Sequence, residues 1–255
     1  IKLANITPTL DEYKKELKRL FPKNEELFDN IITLGSVYKK DISGDIDIGI
    51  EINDSYIRSL LVDMNIQLIT FKTQFDKFKK RSKTATDEQI QSKTILFFIA
   101  KYINANSDLI VCDEKVVTGN MFTEFPQYDD KGSTNENVQI DWMVGDLDWL
   151  KFSYYSSKLS GNLKGLHRTQ LIVAMFANKG YVFSHTNGVK NKETQEIVCS
   201  TPDECLSLLQ QLYTSHLTME TLYNFTEIYN LLKYENMVFD FDDVMDTYLT
   251  ILDKT

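Results

Sequence analysis

Apolar residues recur at helical spacing near the start of the chain, where Leu10, Tyr13, Leu17 and Leu20 fall on one face of a 3.6-residue repeat. Thr9 and Glu12 have the spacing of a capping box, so the pattern predicts an amphipathic helix over 9–20, ended by Pro22. A second short helix is predicted over 25–30. The period then changes: Ile31, Ile32, Thr33 and Leu34 read as a strand running into Gly35, and residues 45–52 (DIDIGIEI) alternate strictly. Isoleucines occupy one face of that second strand and acidic or small residues the other. Two helices follow, over 54–80 with Asp54 or Ser55 as cap, and over 87–104 with Ile95, Phe98 and Tyr102 on adjacent turns. Residues 109–125 read as extended, with a hairpin near Asp113 and Glu114, and a polar loop is expected from Gln127 to Asn137. Residues 138–144 (VQIDWMV) alternate again. From about Leu147 the pattern is mostly helical, apart from an extended stretch over 180–198 with a hairpin at Asn187-Gly188.

This order predicts the α+β class. The strands of the first part imply a domain over 1–150, and the remainder a mostly helical C-terminal lobe over 151–255 with a hairpin near 180–198. At 255 residues, 42% hydrophobic and 25% charged, the chain can bury a real core, and four Pro and ten Gly leave little room for long disordered tracts.

A net charge of −9 weighs against an extended grip on duplex nucleic acid, which needs cations to neutralise phosphates. One basic cluster stands out, Lys77, Lys79, Lys80, Arg81 and Lys83, either a solvated helix end or a guide for a polyanion. Cys112, Cys199 and Cys205 have no paired spacing, which points away from a disulfide framework and towards a reducing, cytoplasmic compartment. Ile1 to Lys18 does not read as a signal peptide, and no apolar run approaches the ~20 residues of a membrane span, so no membrane partner is expected. The charge pattern says nothing of oligomeric state.

The chemistry lies in three aspartates. Asp45 and Asp47 share a strand face, because side chains alternate with period two. Asp141 sits on the same kind of apolar-flanked strand and comes alongside if the two strands are neighbours. Strands avoid Asp, and three clustered carboxylates repel one another unless a cation joins them. Oxygen donors alone select magnesium or manganese over zinc. Gly35-Ser36, at a strand end, offers backbone amides and a hydroxyl to a phosphate.

Leu34-Gly35-Ser36, Asp45-Ile46-Asp47-Ile48 and Ile140-Asp141-Trp142 together resemble the polymerase-β-like nucleotidyltransferase superfamily, which includes DNA polymerase β, poly(A) and CCA-adding enzymes, and antibiotic nucleotidyltransferases. The resemblance implies a nucleotidyltransferase-type mixed sheet with flanking helices. It implies that Gly35 and Ser36 hold the NTP phosphates, that Asp45 and Asp47 bind two Mg2+ or Mn2+ ions, and that Asp141 binds the catalytic one. An NMP would move from the NTP to an acceptor hydroxyl, releasing pyrophosphate. The interval from Ser36 to Asp45 is short for the family. Tyr154-Tyr155-Ser156-Ser157, with Asn162, faintly resembles the polymerase-β segment that contacts sugar and base.

Lys164 and Arg168, four apart on an expected helix, read either as triphosphate clamps or as a salt-bridged surface. His167 reads as packing or a phosphate contact. His185 and His216 lack zinc spacing with the cysteines. Phe71, Phe75 and Phe78 read as core, and Asp240, Asp242, Asp243 and Asp246 as an acidic helix start. An RNA 3′ end is the first acceptor expected. The runner-up is nucleotidylation of a protein or small molecule, which suits the acidic balance better; a non-catalytic nucleotide-binding module is the reading from another class.

Overall fold

The strictly alternating segment does become a strand, and it lies inside a five-stranded mixed sheet in an α+β fold. The computed structural model describes the chain except Ser36, Lys40, Lys83, Thr84, Glu114, Thr118, residues 157–164 and 236–240, and Thr255. The described chain forms two compact units, Ile1–Leu147 and Asp148–Thr255.

Unit 1 contains α1 (Leu3–Leu20), α2 (Glu25–Asp29), β1 (Ile32–Thr33), β2 (Asp45–Ile50), α3 (Asp54–Asp63), α4 (Leu68–Arg81), α5 (Asp87–Asn106), β3 (Val111–Cys112), β4 (Asn120–Asp129) and β5 (Gly132–Val144). The strand order is β1-β2-β5-β4-β3, with β2 and β5 parallel and the other pairs antiparallel. A parallel pair needs a long crossover, and the three helices α3 to α5 lie within it.

Alternation sorts the faces of this sheet. Ile46, Ile48, Ile140, Trp142, Met121 and Phe125 are buried together with Ile6, Leu10, Tyr13 and Leu17 of α1. Burial of this apolar set is the main drive to cover that face. A chain of buried hydrogen bonds fixes the helix on it: Trp142 Nε1 donates to the Tyr13 hydroxyl (2.6 Å), which pairs with Thr123 Oγ1 (2.9 Å), and Thr123 Oγ1 lies 2.9 Å from the Ile140 carbonyl it donates to. Loss of any member leaves a buried polar group unpaired. Burial pushes the Tyr13 phenol far above its ordinary pKa.

Three local expectations are corrected. The first helix starts at Leu3 and not at Thr9; Thr9 is buried, and its hydroxyl meets the Tyr128 backbone on β4, accepting from the amide at 2.9 Å. A tertiary partner has replaced the local cap. The segment 54–80 is two helices, broken where Asn65 takes a φ of 52°, and the cap is Asn53, whose side chain accepts from Ser55 and Tyr56. The polar stretch 127–137 is the tip of the β4–β5 hairpin, with Asp129 paired to Gly132. Polar residues suit it because both faces of the hairpin end are wet. The hairpin expected within 109–125 does form: β3 pairs antiparallel with β4, the longer strand that follows it, and the chain leaves the ladder after Asp113, whose amide donates to the Phe122 carbonyl at 2.9 Å.

Unit 2 contains α6 (Leu147–Ser153), which begins at the boundary, then α7 (Gly165–Asn178), β6 (Tyr181–Ser184), β7 (Gly188–Asn191), β8 (Ile197–Cys199), α8 (Pro202–Leu212), α9 (Met219–Leu222), α10 (Phe225–Asn230), a π-helical turn and α11 (Phe241–Leu252). Trp149, Leu171, Met175, Phe176, Leu209 and Val244 belong to its core. The expected hairpin forms between β6 and β7, and β8 adds a third antiparallel strand. Gly188 has φ +89°, and a Cβ there would lie 2.1 Å from the Cys199 carbonyl oxygen, so only glycine fits. No described helix is long and apolar enough to cross a membrane.

Candidate metal centre

The parallel register sets Asp47 opposite Asp141, and Asp45 opposite Gln139. Residues paired across strands project from one face, so the three aspartates emerge together from the side away from α1. Carboxylate oxygens from Asp45, Asp47 and Asp141 all lie within 4.8 Å of one another. Their burial is graded: Asp45 is exposed, Asp47 partly buried, and Asp141 only 7% exposed.

Crowding of like charge in a half-dry site resists ionisation. Burial, then the charges of Asp45 and Asp141, push the Asp47 carboxyl up to about 7. Burial also raises Asp141, opposed by a hydrogen bond from Gln139, whose Nε2 donates to Asp141 Oδ1 at 2.7 Å, with Asp45 adding to the rise. Among the described residues no ion pair reaches any of the three. A compact set of hard oxygen donors, with charge that its own side chains leave uncompensated, fits a hard divalent cation.

Gly35 forms the wall beside this set. The Leu34 amide donates to the Asp47 carbonyl at 2.9 Å, which carries the β1–β2 ladder one step further. The chain then turns at Gly35 with φ +60°, where a Cβ would lie 2.8 Å from Asp47 Oδ2. The turn therefore rests its bare backbone against the carboxylate. Lys39 Nζ donates to the Gly35 carbonyl at 3.0 Å, which brings an ammonium to the same turn. Sequence reasoning missed Lys39 and Gln139. The alternation that marked Asp45 and Asp141 also put Gln139 on the same face, which was a usable signal; nothing in spacing announced Lys39.

Ser36, Asn162 and Lys164 lie outside the described residues. Tyr154 belongs to unit 2, its ring 5.5 Å from that of His185. Neither expected role on a helix surface describes Arg168. It is 3% exposed, its Nε donates to the Leu222 carbonyl (2.6 Å) and its Nη1 to the Phe152 carbonyl (2.5 Å), and its guanidinium lies 4.5 Å from the Phe152 ring centroid. Burial brings its pKa down to about 10. The helical spacing with Lys164 was read as an outer face, but the apolar residues around Arg168 turn it inward. His167 Nδ1 meets the Tyr248 hydroxyl at 2.8 Å, which is packing within unit 2.

No protein-family model matches the chain, and neither does any curated protein. Among solved structures the chain is similar to a crystal structure of Leishmania infantum polymerase beta in a ternary P/T complex, with 10% sequence identity and a TM-score of 0.43 over 79% of this chain and 72% of that one. A likeness at that level is one of general outline and assigns neither activity nor substrate.

Proposed function

We propose that the chain is a metal-dependent nucleotidyltransferase that moves an NMP from an NTP to an acceptor hydroxyl, with pyrophosphate leaving. The observation that carries this reading is the convergence of Asp45, Asp47 and Asp141 on one face of the paired strands β2 and β5. Bound there, two Mg2+ or Mn2+ ions would supply positive charge to the phosphate oxygens and make the acceptor hydroxyl a better nucleophile.

The chain's own residues divide the work. Asp45 and Asp47 would hold one ion and Asp47 and Asp141 the other, with Asp47 shared between them. Gln139 orients Asp141 through its 2.7 Å hydrogen bond. The bare backbone at Gly35, the Ser36 hydroxyl and the Lys39 ammonium are suited to hold phosphates. Tyr154, Asn162 and Lys164 are assigned to the nucleotide by resemblance alone.

For an RNA 3′ end as acceptor, the support is the basic end of α4, where Lys77, Lys79, Lys80 and Arg81 are exposed, although Lys79 already pairs with Asp87 at 2.8 Å. For a small-molecule acceptor, the support is the net charge of −9 and the lining of the sheet's open face.

The test is incubation of the purified chain with Mg2+ and each α-labelled NTP and dNTP, in the presence of total RNA and of a panel of small hydroxylated compounds. Covalent transfer of label, lost in Asp45→Asn/Asp47→Asn, is the expected result. Absence of transfer to every acceptor would overturn the reading.

A further inference from the structure

A cleft of about 400 Å3 opens beyond the C-terminal end of β2, and the described residues that line it all belong to unit 1. Period two puts Glu51 on the sheet face of Asp45, Asp47 and Gly49, while Ile52 packs against the core on the other face. At about 3.3 Å per residue, Glu51 stands roughly 13 Å along the strand from Asp47, too far to join the three aspartates around one ion. Gly49 makes room for a wall of this cleft. A Cβ there would lie 2.9 Å from Cγ1 of Ile32, its partner on β1, so the bare backbone lets Ile32 lie across β2 and line the cleft.

Two kinds of surface meet here. Leu27 of α2, Ile32, Leu147 and the ring of Tyr56 supply apolar area, and Asn30, Glu51 and Asn53 form an exposed polar rim. Asn53 Oδ1 accepts from the Ser55 and Tyr56 amides at 3.0 and 3.1 Å, so the cap of α3 fixes that side chain and leaves its Nδ2 as a donor. Glu51 takes part in no ion pair among the described residues, and no Lys or Arg is among the described residues that line the cleft. The negative field reaches the Tyr56 hydroxyl, whose pKa is raised by burial and then by the charges of Glu26 and Glu51.

The lining decides what fits. A phosphate or carboxylate would meet Glu51 with no cation to offset it, which excludes a nucleotide and an oligonucleotide backbone. A purely apolar ligand would cover the Glu51 carboxylate and leave it unpaired. An organic cation satisfies both surfaces: its charged nitrogen donates to Glu51, the Tyr56 ring adds attraction for positive charge over its face, and an apolar body covers Leu27, Ile32 and Leu147. The volume is in the range of small-molecule sites, roughly 300–1,000 Å3.

We infer that this cleft is a binding site, separate from the metal centre, for a small primary amine with an aromatic body, its ammonium against Glu51 and its ring on Leu27, Ile32 and Tyr56. The ligand is not a partner in the transfer reaction, and the inference stands independently of the nucleotidyl-transfer reading. Ile32 begins β1, which runs through Leu34 into the Gly35 turn beside Asp47. A ligand seated on Ile32 therefore braces the strand that carries the wall of the metal centre.

Calorimetric titration of the purified chain, without metal or nucleotide, with benzylamine, benzyl alcohol, benzoate and adenosine tests it. Saturable binding of benzylamine is expected, weaker by at least tenfold for benzyl alcohol and absent for benzoate. Glu51→Gln should weaken benzylamine by at least tenfold, and Asn30→Trp, which fills the rim, should abolish its binding; both positions are exposed, and melts in parallel confirm that the variants fold. Asp45→Asn/Asp47→Asn should bind benzylamine as wild type does, because an amine drawn to the metal-free carboxylates would be lost there. No binding of benzylamine, equal binding of benzyl alcohol, binding of adenosine in place of the amine, an unmoved affinity in folded Glu51→Gln, or loss of binding in the double aspartate variant would each overturn the inference.

Discussion

Asp47 and Asp141 stand directly opposite each other in the parallel pairing of β2 with β5, so two carboxylates from distant parts of unit 1 share one small space with Asp45. Such a juxtaposition destabilises the metal-free fold, because burial and mutual repulsion both oppose ionisation. The cost is sensible only where a cation offsets it. Asp47→Asn should therefore raise the melting temperature of the chelator-treated protein while lowering nucleotidyl transfer by about 10² to 10³, the scale of losing one preorganised electrostatic group. Parallel melts and label-transfer rates check both; a variant that melts lower in chelator would contradict the repulsion argument.

The same crowding predicts a pH signature. Asp47 titrates near 7 in the fold against an ordinary carboxylate value of 3.8. Between those values the folded state binds more protons than the unfolded chain, so its contribution to stability falls as pH rises from about 4 to 7 and is level above that. In chelator, the difference in unfolding free energy between wild type and Asp47→Asn should follow that window. Added Mg2+ should restore stability most above pH 7, where no proton competes for the carboxylate, and apparent metal affinity should weaken steadily below it. A pH-independent difference between the two proteins would remove Asp47 as its source.

Gly35→Ala addresses the wall of the site. The residue must keep φ +60° with a Cβ 2.8 Å from Asp47 Oδ2, a backbone strain of about 1–3 kcal/mol before the displaced carboxylate is counted. The expected result is a lower melting temperature together with weaker Mg2+ binding by calorimetry. Normal metal affinity in the folded variant would mean that the turn does not set the position of Asp47.

Arg168 should behave as a core residue. Its guanidinium donates to the carbonyls of Leu222 and Phe152 and packs on the Phe152 ring. Arg168→Ala removes those bonds and leaves a cavity, at a cost of about 3–5 kcal/mol. Denaturant unfolding should register that loss. A variant of unchanged stability and raised KM for NTP would instead restore the phosphate-clamp role.

Period-two alternation was enough to place Asp45 and Asp47 on one face of a strand and to mark the segment carrying Asp141, because strand geometry dictates which side chains share a face. Gly35 was visible for a similar reason: a glycine at a strand end is tied to backbone geometry that few other residues adopt. The α+β class followed from the order of the patterns alone. What the pattern left open was which strands are neighbours. Only the folded sheet decided that β2 lies beside β5 in the register that joins Asp47 to Asp141, because strand pairing depends on long-range packing of Ile46, Ile48, Ile140 and Trp142 beneath α1. Thr9, legible as a cap, turned out to bond a distant strand, and Arg168, legible as surface, turned out to be buried. A polar side chain takes its partner from whatever three-dimensional neighbour best satisfies it, and local spacing does not carry that information.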